Sequence, residues 1–291
     1  MAEFRDLAAA AVADSPSFYS VDHEIPAATC ENGWISFVSS VSTGIHENDL
    51  VWAKVTPAKA SHHALIVFHH WNATSRNSQL ARFFAWRGFT VVEIAMPYHL
   101  ERIRPGSSYA DYMLSPNLGR TIQSMRQAVL DGRQLTAILK RCGYQKVSVL
   151  GISLGSWVAG LLAAHEPAVA KASLFLTAGS LADMVWTGSA TRHIRASFDC
   201  DIDLLDLRQA WAPVSLCSFA EKLARPGLDL QIMLAERDRV VLPELSDSLV
   251  AELHRKGARP TVTRMNCGHY SLTLPPYIIK AGISAARFLS H

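Results

Sequence analysis

The sequence predicts an α/β fold: a mostly parallel central sheet, an N-terminal antiparallel hairpin, and helices on both faces. Three observations carry that prediction. Short, continuous apolar runs recur along the chain, helix-compatible stretches separate them, and two strand-like segments precede the first run. Runs that are apolar throughout suit strands buried on both faces, and a helix between successive runs supplies the crossover that parallel strands need.

Taken in order, the apolar stretch Leu7–Ala13 is short, and Glu3 and Asp6 stand where a secretory leader carries positive charge, so it reads as a surface helix. Trp34–Val38 and Leu50–Val55 form the hairpin, with the polar stretch Thr43–Asp49 between them. The buried runs are Ala64–Phe68, Thr90–Ile94, Val147–Leu150, Ala172–Leu176 and Leu230–Leu234, with Thr261–Met265 as a weaker sixth. Ser78–Arg87, Gly119–Arg141, Ser156–Glu166, Pro243–Lys256 and Tyr277–Leu289 fit the helices between and after them. The stretch 180–219 breaks the rhythm and exceeds an ordinary connection, which predicts a small helical cap inserted into a single domain spanning residues 1–291.

Composition bounds the function. In 291 residues, 49% are hydrophobic and 18% charged, which allows a large core and excludes general disorder. The 28 basic residues are interspersed with 25 acidic ones for a net charge of +3, so no basic stripe marks a nucleic-acid partner. No run approaches the length of a membrane span. Cys30, Cys142, Cys200, Cys217 and Cys267 are odd in number and contain no CxxC pair, which fits reduced thiols in a cytoplasmic protein.

The chemistry sits at Val147–Gly155, V-S-V-L-G-I-S-L-G, where a buried strand runs into G-x-S-x-G and then into an apolar helix. A serine on so sharp a turn is exposed above the sheet, and bulk at Gly151 or Gly155 would collide with backbone. The helix starting there aims free N–H groups at negative charge forming beside Ser153. A serine hydroxyl needs a base and an orienting carboxylate. C-terminal ends of parallel strands converge on one crevice, so residues just past later strands are the candidates. Asp238 follows the Leu230–Leu234 run and His269 follows the last one. Glu236 and Asp247 are rival acids; His254 lies within a helix and His291 at the terminus, which suits neither for the base.

The oxyanion hole requires two backbone N–H groups. Leu154 supplies one, and the loop His69-His70-Trp71-Asn72-Ala73 supplies the other through Trp71, with His70 as the alternative. Adjacent histidines on an extended loop point apart, and no carboxylate or cysteine clusters with them, so no metal is expected.

These motifs resemble the α/β-hydrolase superfamily over nearly the whole chain: G-I-S-L-G at Gly151–Gly155, F-H-H-W-N-A at Phe68–Ala73, E-R-D-R-V-V-L-P at Glu236–Pro243 and C-G-H-Y at Cys267–Tyr270. With Met96-Pro97-Tyr98-His99 and Ser115–Arg120, the pattern looks like a bacterial branch near the dienelactone-hydrolase-like and peptidase-like esterases. The resemblance implies the α/β-hydrolase fold and a serine esterase without a cofactor, acting on a small-molecule carboxylic ester or thioester. His70 departs from the superfamily, which often has glycine there, and its side chain narrows the approach to the hole.

Two segments are expected to border the crevice, Tyr98–Pro105 and the cap with Trp186, Arg192, His193, Arg195 and Trp211. His70, Tyr98, Arg102 and Trp186 are therefore the candidate substrate-binding residues. The preferred structural alternative pairs the arginines with Asp111, Asp199 or Asp201 and places the tryptophans in the core of the cap. An acyltransferase using the same site and a catalytically silent binding protein are the alternative functions.

Overall fold

A computed structural model describes residues 1–21, 25–198 and 201–290. Its sheet has nine strands: β1 (Ala28–Glu31), β2 (Trp34–Val38), β3 (Leu50–Thr56), β4 (His63–Phe68), β5 (Thr90–Ile94), β6 (Lys146–Ile152), β7 (Val169–Phe175), β8 (Asp229–Ala235) and β9 (Thr261–Met265). Their spatial order is β1-β2-β3-β5-β4-β6-β7-β8-β9. The pairs from β5 through β9 are parallel, and β1, β2 and β3 join the β5 edge by antiparallel pairing.

The antiparallel part has three strands rather than two. β1 is four residues long and mostly exposed, so it carries no apolar alternation to reveal it. Its signal is the Asn32-Gly33 pair, both residues at positive φ (52° and 74°), which is the backbone that a two-residue hairpin turn demands. The polar stretch between β2 and β3 contains a helical turn, His46–Asp49.

The principal helices are α1 (Ala2–Ala13), α2 (Ser78–Trp86), α3 (Leu118–Arg141), α4 (Leu154–His165), α5 (Leu181–Thr187), α6 (Leu204–Ala210), α7 (Pro243–Arg255) and α8 (Tyr277–Ser290). Alternate strand residues feed opposite faces. Ala64, Ile66 and Phe68 of β4 pack with α3, α4 and α7, whereas Leu65 and Val67 pack with α2 and α8. α4 is buried along its whole length, which explains why its sequence is apolar all round. No helix among the described residues is long and apolar enough to cross a membrane.

The described residues of the stretch 180–219 are mostly helical. Much of it is continuous with the main core: Leu181, Leu207, Val214 and Leu216 join the face occupied by α3 and α4, and the buried Trp211 donates its indole N–H to Leu118 O at 3.3 Å. α1 lies outside against α6, with Arg5 bonding Gln209 at 3.2 Å, and among its residues only Ala8 is buried. Cys30, Cys142, Cys217 and Cys267 are free thiols; Cys200, Asp199 and His291 lie outside the described residues.

Candidate active site

The elbow is a backbone feature before it is a chemical one. Ser153 sits between β6 and α4 at φ 53°, ψ −124°, a conformation that L-residues rarely adopt and that the surroundings must impose. Its N–H bonds Phe175 O of β7 at 2.9 Å, and its carbonyl accepts the Ser156 N–H at 2.7 Å and the Ser156 hydroxyl at 2.6 Å. A Cβ on Gly151 would overlap the Gly155 carbonyl oxygen, and one on Gly155 would overlap the carbonyls of Phe68 and His69. Gly155 is thus what lets the start of α4 meet the end of β4. Gly155→Ala is expected to cost about 1–3 kcal/mol through overpacking against backbone, read as a fall of several degrees in melting temperature.

The loops after β8 and β9 are laced together before they reach the serine. Glu236 N donates to Met265 O and Arg237 N to Cys267 O, both at 2.9 Å. This places Asp238 beside His269. His269 Nδ1 lies 2.7 Å from Asp238 Oδ2, and His269 Nε2 lies 3.0 Å from Ser153 Oγ. The second oxygen of Asp238 accepts the Val240 and Val241 amides at 2.7 and 2.9 Å, so the carboxylate is fixed at both ends. Asp238 and His269 are buried, at 4% and 9% exposure, and Ser153 is half-buried at the rim. The rival acids are elsewhere engaged or turned out: Asp247 pairs with Arg264 at 2.6 Å, and Glu236 is exposed.

Directly after the serine, Leu154 begins α4, where a helix leaves its first amides without acceptors. The His70 and Trp71 amides also have no acceptor among the described residues. The Trp71 indole N–H bonds Ala110 O at 3.0 Å, and its ring stacks on His193 of the 180–219 stretch, 6.0 Å between centroids and 8° between planes. His70 is exposed on the loop, and partial desolvation, then the proximity of His269, lowers its pKa.

Two predicted substrate residues turn inward. Arg102 is fully buried, donating to Asn48 O at 2.9 and 2.6 Å, to Ala95 O at 3.0 Å and to Asp131 Oδ2 at 2.8 Å. Four of its five N–H groups are bonded to protein and the side chain has no exposed surface, so it does not face a ligand. Its acid is Asp131, in the middle of α3, rather than Asp111, which lies 3.6 Å from Arg104. Tyr98 is also buried, its ring edge-on to Tyr112 at 5.4 Å, within the core cluster. Trp186 is covered by the Arg195 guanidinium at 4.8 Å.

Two histidines that the sequence gives no catalytic or binding role lie close to the site. His69 and His99 follow the C-terminal ends of β4 and β5 and pack edge to face at 4.7 Å. Their signal was the same rule of strand ends that singled out His269. Burial, the largest cause in each, pushes the pKa of His99 and of His165 in α4 down to about 4 and that of His69 well below its usual value. The folded state holds these rings neutral while the unfolded chain protonates them near 6.5. Stability from them is complete above about pH 6.5 and is lost as pH falls towards 4. The urea midpoint should therefore be lower at pH 5 than at pH 7.

The order of strands, the crossover helices and the turn at Ser153 are those of the α/β-hydrolase fold. Solved structures of that fold superpose on it. Acetyl xylan esterase 1 from Thermoanaerobacterium sp. aligns with a TM-score of 0.68 and 17% identity over 99% of this chain and 94% of that one. An esterase from Pyrococcus furiosus aligns at 0.59 and 12% identity over 94% and 93%. A puromycin-hydrolyzing peptidase of Mycobacterium tuberculosis aligns at 0.67 and 14% identity over 91% of this chain, which spans 38% of the peptidase's length. The sequence matches no protein-family model and no curated protein.

Proposed function

We propose that this chain is a serine hydrolase that cleaves a carboxylic ester, or a thioester, through an acyl-enzyme on Ser153. The observation that carries the reading is the unbroken line from Ser153 Oγ through His269 to Asp238, 3.0 and 2.7 Å, with the serine on a strained elbow.

In this mechanism Ser153 Oγ attacks the ester carbonyl carbon as His269 Nε2 takes the hydroxyl proton. Negative charge collects on the former carbonyl oxygen, where the Leu154 and Trp71 amides receive it. His269 returns the proton to the departing alcohol or thiol, leaving Ser153 acylated. Water then repeats the sequence, and the acid leaves with the serine restored. Asp238 holds the Nδ1–H tautomer of His269 and stabilises the imidazolium formed midway. Ester rather than peptide cleavage is favoured because the likeness to esterases extends over nearly the full length of both chains, whereas the peptidase is matched over 38% of its length.

The direct test is hydrolysis of p-nitrophenyl acetate, with products analysed in the presence of added glycerol. Free acetate as the dominant product is the expected result. Acetylated glycerol in its place would identify an acyltransferase, and no turnover of p-nitrophenyl or thioester acyl donors would contradict the proposal.

A further inference from the structure

The loop bearing the Trp71 amide is held from behind by an imidazole that does not reach the serine. His99 is 1% exposed, and its Nδ1 lies 2.9 Å from Pro97 O, an acceptor, so Nδ1 carries the proton. Nε2 is then a bare lone pair, and it accepts the Asn72 N–H at 3.0 Å. Asn72 itself is left-handed, φ 57°, and its side-chain oxygen accepts the Ala110 N–H at 2.9 Å. The backbone that follows Trp71 is therefore tied on both sides in a conformation it would not keep unaided.

We infer that His99 is a positioning residue for the oxyanion hole: by accepting the Asn72 N–H it fixes the Trp71–Asn72 peptide and so aims the Trp71 amide. The inference rests on the reading of Ser153 as nucleophile. The Asn72 N–H is taken up by His99 and so is not available to an oxyanion, whereas the Trp71 N–H has no acceptor among the described residues. His69 repeats the device one strand over, with Nδ1 on His70 O at 2.8 Å and Nε2 accepting the Met96 N–H at 3.1 Å.

Protonation of His99 would set an N–H against the Asn72 N–H and break the tie. The charged or titratable groups facing the ring are His69, His70 and Arg102, and burial together with the charges of His70 and Arg102 holds its pKa down to about 4 despite the Pro97 carbonyl. The tie is intact at neutral pH.

The test compares His99→Phe, which keeps ring volume without an acceptor, and His99→Gln, whose amide oxygen restores one. Kinetics on p-nitrophenyl acetate should show kcat of His99→Phe reduced roughly 10- to 100-fold, as for a small misplacement of a catalytic group, with KM changed by less than about twofold. His99→Gln should recover most of the loss. In the wild-type protein, 15N-resolved NMR of the ring should report the neutral Nδ1–H tautomer at pH 7, a readout that needs no variant to fold. An Nε2–H tautomer, or a folded His99→Phe protein with wild-type kcat, overturns the inference while leaving an active wild type to support the hydrolase reading. A wild type without ester turnover overturns that reading and the inference with it.

Discussion

Ser153→Ala is expected to lower kcat on p-nitrophenyl acetate by about 10⁴- to 10⁶-fold, the range in which only binding and oxyanion stabilisation remain. Among the described residues, Ser153 carries the one hydroxyl bonded to His269. Ser156, one turn into α4, donates its hydroxyl to the Ser153 carbonyl at 2.6 Å and is buried. Alanine keeps the same Cβ on the same strained backbone, and the Ser153 N–H bond to Phe175 O is unaffected, so the melting temperature should stay within a few degrees of wild type. That separates lost chemistry from lost fold. Wild-type turnover by a folded Ser153→Ala protein would remove Ser153 from the mechanism.

Arg102→Met is expected to destabilise the fold by about 3–5 kcal/mol, because it strands a buried carboxylate. Burial pushes the Asp131 carboxyl up, and Arg102 together with the Ser39 hydroxyl, which donates at 2.6 Å, pulls against that rise. Removing the guanidinium deletes the charge partner and also the donors that satisfy Asn48 O and Ala95 O. Replacing both partners, Arg102→Met with Asp131→Leu, should recover part of the loss, since the double variant leaves no unpaired charge. Urea denaturation of the three proteins measures this. Selectivity between anionic and neutral esters should not change in whatever fraction stays folded; selective loss on anionic esters would return Arg102 to the substrate site.

What the sequence made legible follows from where steric rules act locally. Gly151 and Gly155 are forced by backbone that would otherwise overlap, so the elbow could be read from their spacing together with the strand before them and the helix after. Asp238 and His269 could be read from order, because parallel strands end on one side. The five helices between and after the buried runs fall within a residue or two of the expected limits for the same kind of reason: α2 and α3 are capped by Asn77 and Asn117, and α7 has proline in its first turn. Arg102 makes the structural ion pair preferred for it, but with Asp131, a partner set by tertiary contact. Nothing within a few positions of it announces that Asp131, 29 residues on, will face it in the core. His99 was missed as a site residue for a related reason, since its role lies in a bond to the backbone of a loop 27 residues earlier. β1 was missed although Asn32-Gly33 marked its turn, because attention to apolar alternation passes over an exposed edge strand.

The most direct measurement is labelling of the intact protein with a fluorophosphonate, followed by peptide mapping of the adduct by mass spectrometry. A hydroxyl made nucleophilic by an adjacent imidazole reacts, and an ordinary surface serine does not. A single adduct on Ser153, formed by the wild type and lost in His269→Ala, is expected. An adduct on a different serine, or none from a protein that still hydrolyses p-nitrophenyl acetate, would contradict it.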